Sequence, residues 1–72
     1  MINYNWNDAP NWANWRAITR IYGNVQYFEV KPTLYKDKVI AYWKHEYGTS
    51  QWTDCSQQCD NTNWEQSLEY RG

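Results

Sequence analysis

Trp15-Arg16-Ala17-Ile18-Thr19-Arg20-Ile21-Tyr22-Gly23-Asn24-Val25-Gln26-Tyr27-Phe28-Glu29-Val30-Lys31 is the stretch that decides the fold. Two runs rich in β-branched and aromatic residues flank Gly23-Asn24, and Gly at the first turn position suits a two-residue type II′ hairpin. That turn sets Tyr22 opposite Val25, Arg20 opposite Tyr27, Thr19 opposite Phe28 and Ala17 opposite Val30. Side chains alternate between the two faces of a strand. One face therefore carries Trp15, Ala17, Thr19, Ile21, Gln26, Phe28 and Val30. The other carries Ile18, Arg20, Tyr22, Val25, Tyr27 and Glu29. The first is the more apolar and is expected to face the core. On the second, Arg20 is expected to lie over Tyr27 in a cation–π contact worth roughly 0.5–1 kcal/mol where exposed. Arg20, Tyr22 and Tyr27 thus form one candidate binding surface. The alternative is an ordinary solvated sheet face with cross-strand pairs.

Upstream, Ile2, Tyr4 and Trp6 alternate with Asn, which predicts an edge strand or extended arm. Asp8-Ala9-Pro10-Asn11 reads as one turn with Pro10 inside it, leading into a strand that begins near Ala13. Downstream, Lys31-Pro32 ends the second strand because Pro has no N–H to give a ladder. Thr33 to Asp37 is read as a connection, with Lys36-Asp37-Lys38 at its exposed tip. Lys38 to Tyr47 is read as the third strand, Gly48 to Ser50 as a turn, and Gln51 to Thr53 as a short fourth strand. Asp54 to Asn63 is polar, with one helical turn expected around Cys55 to Cys59. Thr62-Asn63-Trp64-Glu65 fits a capping box for a short terminal helix in which Trp64 and Leu68 share a face. The expected architecture is mainly β (small α+β): a three- to four-stranded antiparallel meander built on the Gly23-Asn24 hairpin, with a short C-terminal helix, in one domain over 1–72.

Aliphatic side chains are few, against six Trp, seven Tyr and one Phe. Rings must therefore fill most of the core of a domain of 72 residues, which is small enough to be marginally stable. A sheet this small cannot cover them all, and exposed Trp and Tyr are what partner-binding surfaces favour. Most of the indoles are expected in the core, Trp43 and Trp64 foremost. Trp12 and Trp52, flanked by Asn, Gln, Ser or Thr, are the candidates for a surface platform.

A formal charge of −1 and a pI near 5.6 leave no basic stripe for a duplex nucleic acid. The N-terminal residues lack the cationic start and apolar run of a signal peptide, and no segment approaches a membrane span. A soluble protein of the cytoplasm is the expectation.

Cys55 and Cys59 are open to three readings: reduced thiols, a disulfide stapling the loop, or half of a zinc site with His45 and Asp54 or Asp60. Structural zinc usually takes a second ligand pair, which the sequence lacks, and a cytosolic setting opposes a disulfide. His45, in Lys44-His45-Glu46-Tyr47, is read at a solvated strand end, whereas acid–base work usually wants a group held in place. No nucleophile elbow and no Gly-rich phosphate loop is present. The chain is read as a non-enzyme without a cofactor.

Trp6-Asn7-Asp8-Ala9-Pro10-Asn11-Trp12-Ala13, the Gly-centred hairpin, and Trp64-Glu65-Gln66-Ser67-Leu68 together resemble small uncharacterised proteins of tailed bacteriophages. Those share a Trp-x-x-Ala-Pro-x-x-Ala start and a late Trp-x-x-Ser-Leu element. The Cys55/Cys59 segment and the additional Trp12 and Trp15 depart from that pattern. The resemblance implies a compact, β-rich, phage-encoded protein in the host cytoplasm and carries no catalytic residue with it. Expected functions are, in order, binding of a host or phage protein through rings, stacking of carbohydrate or single-stranded nucleic acid, and self-association through strand edges.

Overall fold

In the computed structural model, which describes residues 5–45 and 50–72, the chain is mainly β. The strands are β1 (Trp15–Ile18), β2 (Asn24–Phe28), β3 (Thr33–Lys36), β4 (Ala41–Lys44), β5 (Trp52–Gln58) and β6 (Glu69–Tyr70), and Trp64–Gln66 forms a single 3-10 turn. Four strands make one antiparallel sheet in the order β5-β2-β1-β6, and β3 and β4 form a separate two-stranded sheet. The order is therefore not a sequential meander, because β5 skips the β3–β4 hairpin to pair with β2.

The central hairpin forms with a longer loop than the two-residue turn predicts. Arg16 lies opposite Tyr27 and Ile18 opposite Val25. Thr19 N–H donates to the Asn24 carbonyl at 2.9 Å and Gly23 N–H to the Thr19 carbonyl at 3.2 Å. Gly23 thus closes a loop rather than opening a turn, with φ at 67°. Asn24 is held in the strand by a polar clasp. The Thr19 hydroxyl donates to Asn24 Oδ1 at 2.6 Å and accepts the Asn24 N–H at 3.2 Å. The pairing is displaced by four residues from the expected one: Tyr27 faces Arg16 instead of Arg20, and Val25 faces Ile18 instead of Tyr22. An even displacement keeps the paired side chains, Trp15 to Ile18 and Val25 to Phe28, on their predicted faces, whereas Arg20, Ile21 and Tyr22 fall in the loop.

The expectation that only the first face meets the core is corrected. Ala17 and Phe28 on that face are buried, but so are Arg16, Ile18, Val25 and Tyr27 on the other. The chain's two ends cover this second face. The Trp6 ring lies 5.9 Å from that of Tyr27 and 4.3 Å from the Arg16 guanidinium. Arg71 Nη1 donates to the carbonyls of Pro10 at 3.0 Å and Ala13 at 2.9 Å, tying the C-terminus to the turns that precede β1. On the first face, Thr19 and Gln26 share a cleft with Ala41, Tyr42 and Trp43 of the second hairpin. Trp43 and Trp64, both in the core as expected, meet edge to face at 6.1 Å.

Thr33 to Lys36 is a strand, not a connection, and Val39 and Ile40 belong to the following turn. The cause is Asp37, whose Oδ1 accepts the N–H groups of Val39 and Ile40, each at 2.8 Å. Asp side chains commonly build such turns. The tip expected at Lys36-Asp37-Lys38 is exposed as predicted. The helical turn expected around Cys55 to Cys59 is replaced by β5, which runs on to Gln58 beside β2. The capping box does not form: the Thr62 hydroxyl donates to Asp60 Oδ1 at 2.6 Å, and Asn63 caps the 3-10 turn without a side-chain bond. That turn stops at one because Ser67 Oγ donates to the Trp64 carbonyl at 2.6 Å and accepts the Ile18 N–H at 2.8 Å. The chain is thereby drawn into the sheet edge as β6. The arm expected at Ile2 to Trp6 and the strand end and turn expected at 46–49 lie, for residues 1–4 and 46–49, outside the described residues. No helix of the described residues is long and apolar enough to cross a membrane.

Candidate functional site: an apolar rim between two hairpin tips

Loop closure at Gly23 leaves Arg20, Ile21 and Tyr22 projecting beyond the β1–β2 ladder. Ile21 is 72% and Tyr22 76% exposed. The Asp37 turn does the same to Val39 and Ile40 in the second hairpin, at 81% and 48%. The two tips are neighbours. Thr19, Arg20, Ile21, Tyr22 and Gln26 line one wall of a cleft of about 210 Å³ whose other wall is Ala41, Tyr42 and Trp43. A second, more polar cleft is lined by Arg20, Lys36, Asp37, Lys38, Val39, Ile40, Ala41, Trp64 and Glu65. Arg20 and Ala41 belong to both. The exposed apolar residues of the two tips therefore stand at one rim, around two clefts joined through Arg20 and Ala41, and clustered exposed apolar residues mark an interaction site more often than scattered ones do.

The tip that carries Val39 and Ile40 is rigidly built. Besides its two backbone donors, Asp37 accepts the Tyr35 hydroxyl at 3.0 Å. These bonds hold the Asp37 carboxyl below its ordinary value, with the Ile40 and Val39 N–H groups the main causes, and they raise the Tyr35 phenol. The rings of Tyr35 and Tyr42, both exposed, lie 5.2 Å apart.

The expected site residues divide. Arg20 and Tyr22 line the cleft together. Tyr27 does not join them: it is 1% exposed, and Arg16 rather than Arg20 stands opposite it. The expected Arg20–Tyr27 stack is thus corrected, because the longer loop carries Arg20 past the end of the ladder. Burial raises the Tyr27 phenol pKa, with Cys55 adding to the shift and Arg16 opposing it. Trp12 is half-buried against the core, and Trp52 is 44% exposed with its ring 5.2 Å from His45. Neither lines the cleft, so the platform expected from Trp12 and Trp52 is not the surface these residues build. Ile21, Val39, Ile40 and Tyr42 were not singled out from the sequence. Gly23 read as the residue that closes a loop, and Asp37 as the head of a turn, are the signals that place them at tips.

Cys55 and Cys59 are free thiols, both half-buried. Burial raises the Cys59 thiol pKa. Among the described residues no group of three His, Cys, Asp or Glu side chains is arranged to hold a metal.

No protein-family model, no curated protein and no solved structure matches this chain.

Proposed function

We propose that the protein is a small binding module that docks a host or phage protein on the rim formed by Ile21, Tyr22, Val39, Ile40 and Tyr42, and that it acts by occupying its partner rather than by catalysis. The observation that carries this reading is the meeting of two exposed apolar tips at a pair of clefts that share Arg20 and Ala41. Aromatic anchors at the centre of an apolar patch with a polar surround are the usual makeup of an interface core. The phage origin rests on the Trp6 to Ala13 and Trp64 to Leu68 motifs. A photo-crosslinking amino acid placed at Tyr22 or Tyr42, exposed in bacterial cells, tests the reading against the same label at Gln51, which lies outside the rim. Discrete adducts from the rim positions alone are expected. Adducts as abundant from Gln51, or none from any position, overturn it. Fluorescence quenching by oligosaccharides in the absence of adducts assigns the cleft to sugar instead.

A further inference from the structure

The rim's charges indicate what kind of protein segment it takes. Of the described charged residues around the second cleft, Lys36 is paired with Glu65 at 3.1 Å. Asp37 is engaged by three donors of its own hairpin. Asp37 keeps its negative charge, since neutral donors do not cancel it, so three cations face two carboxylates; Arg20 and Lys38 are both exposed, and neither is within ion-pair distance of a described carboxylate. The chain as a whole carries a formal charge of −1, so the excess of positive charge lining this cleft runs against its average. Arg20 stands on the wall common to both clefts, beside Tyr22 on one side and near Ile40 on the other.

We infer that the rim binds an acidic amphipathic peptide segment, whose apolar side chains seat among Tyr22, Tyr42 and Ile40 while its carboxylates meet Arg20 and Lys38. The inference rests on the proposed protein-binding role and adds the chemistry of the partner. A guanidinium favours carboxylate through paired hydrogen bonds, and complementary charge at a rim steers association and selects partners. A single-stranded nucleic acid fits less well. Its backbone needs a cationic groove along its length, whereas this cleft mixes Arg20, Lys36 and Lys38 with the carboxylates of Asp37 and Glu65.

Selection from a yeast-displayed random-peptide library against the intact protein tests this. Enriched sequences are expected to combine Asp or Glu with apolar residues. Their affinity is expected to fall roughly tenfold in the Arg20→Glu/Lys38→Glu double variant and to weaken with added salt. Both substitutions lie at exposed positions, and an unchanged Trp emission spectrum checks that the variant is folded. Enriched peptides that are neutral or basic, or that ignore the charge reversal yet lose binding in Tyr22→Ser, overturn the acidic assignment and leave the protein-binding role standing. No enrichment, or binding indifferent to Tyr22→Ser, removes both. A single-stranded oligonucleotide that outcompetes the selected peptides and is itself weakened by the charge reversal overturns the peptide assignment in favour of phosphate.

Discussion

Arg16 and Glu69 close the edge between β1 and β6: Arg16 Nη2 donates to Glu69 Oε1 at 2.7 Å from a side chain that is almost wholly buried. The same guanidinium stacks on Trp6 at 4.3 Å and donates from Nη1 to the Asn5 carbonyl at 3.3 Å. One cation thus joins the N-terminal segment, the central hairpin and the C-terminal strand. Arg16→Ala leaves the Glu69 carboxylate without its partner and uncovers Trp6 and Tyr27. Loss of a buried pair's partner costs about 3–5 kcal/mol; because Glu69 is about a third exposed, we expect about 2–3 kcal/mol. Urea unfolding followed by Trp fluorescence measures it, and a loss below about 1 kcal/mol would show that the pair is dispensable.

Tyr27 carries the opposite expectation. Its hydroxyl is buried without a hydrogen-bond partner among the described residues. Tyr27→Phe keeps the ring against Trp6 and removes a polar atom that burial penalises. Stability is expected to hold or to rise by about 1 kcal/mol. A loss of more than about 1 kcal/mol in the same urea assay would mean that the hydroxyl is satisfied.

Gly23 is required twice over. Its φ is 67°, and a Cβ built there would stand 2.8 Å from the Cys59 carbonyl oxygen. That oxygen is backbone, held in place by the Cys59 N–H bond to the Gly23 carbonyl at 2.7 Å. Gly23→Ala is expected to cost about 2 kcal/mol or more, from left-handed backbone strain and the clash together. Gly72→Ala, at φ 102° with nothing near its Cβ, carries backbone strain without the clash and is expected to cost less in the same thermal melts.

Asp37 sets a pH dependence at the second tip. Its carboxyl pKa lies below 3.8 in the folded chain, so the bonds it accepts favour the native tip at every pH above 3.8. That contribution is lost as pH falls through the lower, folded-state value. Amide exchange at Val39 and Ile40 is expected to stay slow down to mild acid and to accelerate only below 3.8. In Asp37→Ala the two amides exchange fast at all pH values. A carbon-detected titration of Asp37 with a midpoint at or above 3.8 would contradict the assignment.

The indoles separate by depth. Trp64, buried against Trp43 at 6.1 Å, is expected to cost about 3–5 kcal/mol on substitution by Ala. Trp52, 44% exposed, is expected to cost about 1 kcal/mol or less. Equal losses for the two would place Trp52 in the core.

Alternation along Trp15 to Lys31 was sufficient to predict two antiparallel strands and the face of each side chain that their ladder pairs. The β class followed from the same pattern, and Trp43 and Trp64 could be named as core. The pairing could not be, because Gly tolerates both the opening of a two-residue turn and the closing of a longer loop. The choice fell to a contact distant in sequence: Asn24 Nδ2 donates to Asp54 Oδ1 and to the Cys55 carbonyl, each at 3.3 Å, which holds Asn24 inside a strand rather than in a turn. Two of the expected site residues, Arg20 and Tyr22, could be found because loop and strand readings alike leave them outside the core. Ile21, Val39 and Ile40 escaped notice because an apolar residue in sequence looks the same whether it is packed or presented.

By itself, then, the sequence determined the class of the fold, a surplus of rings over aliphatic side chains, and the alternation that assigns faces, since these depend on local geometry and residue type. Only the tertiary structure decided which face is sealed and which residues stand at the tips. Covering a face requires a second element to arrive from elsewhere in the chain: Trp6 against Tyr27 with Arg71 stacked on Trp6, and Trp43 sharing a cleft with Gln26. Such long-range packing, unlike strand alternation, leaves no periodic mark in the residues that receive it.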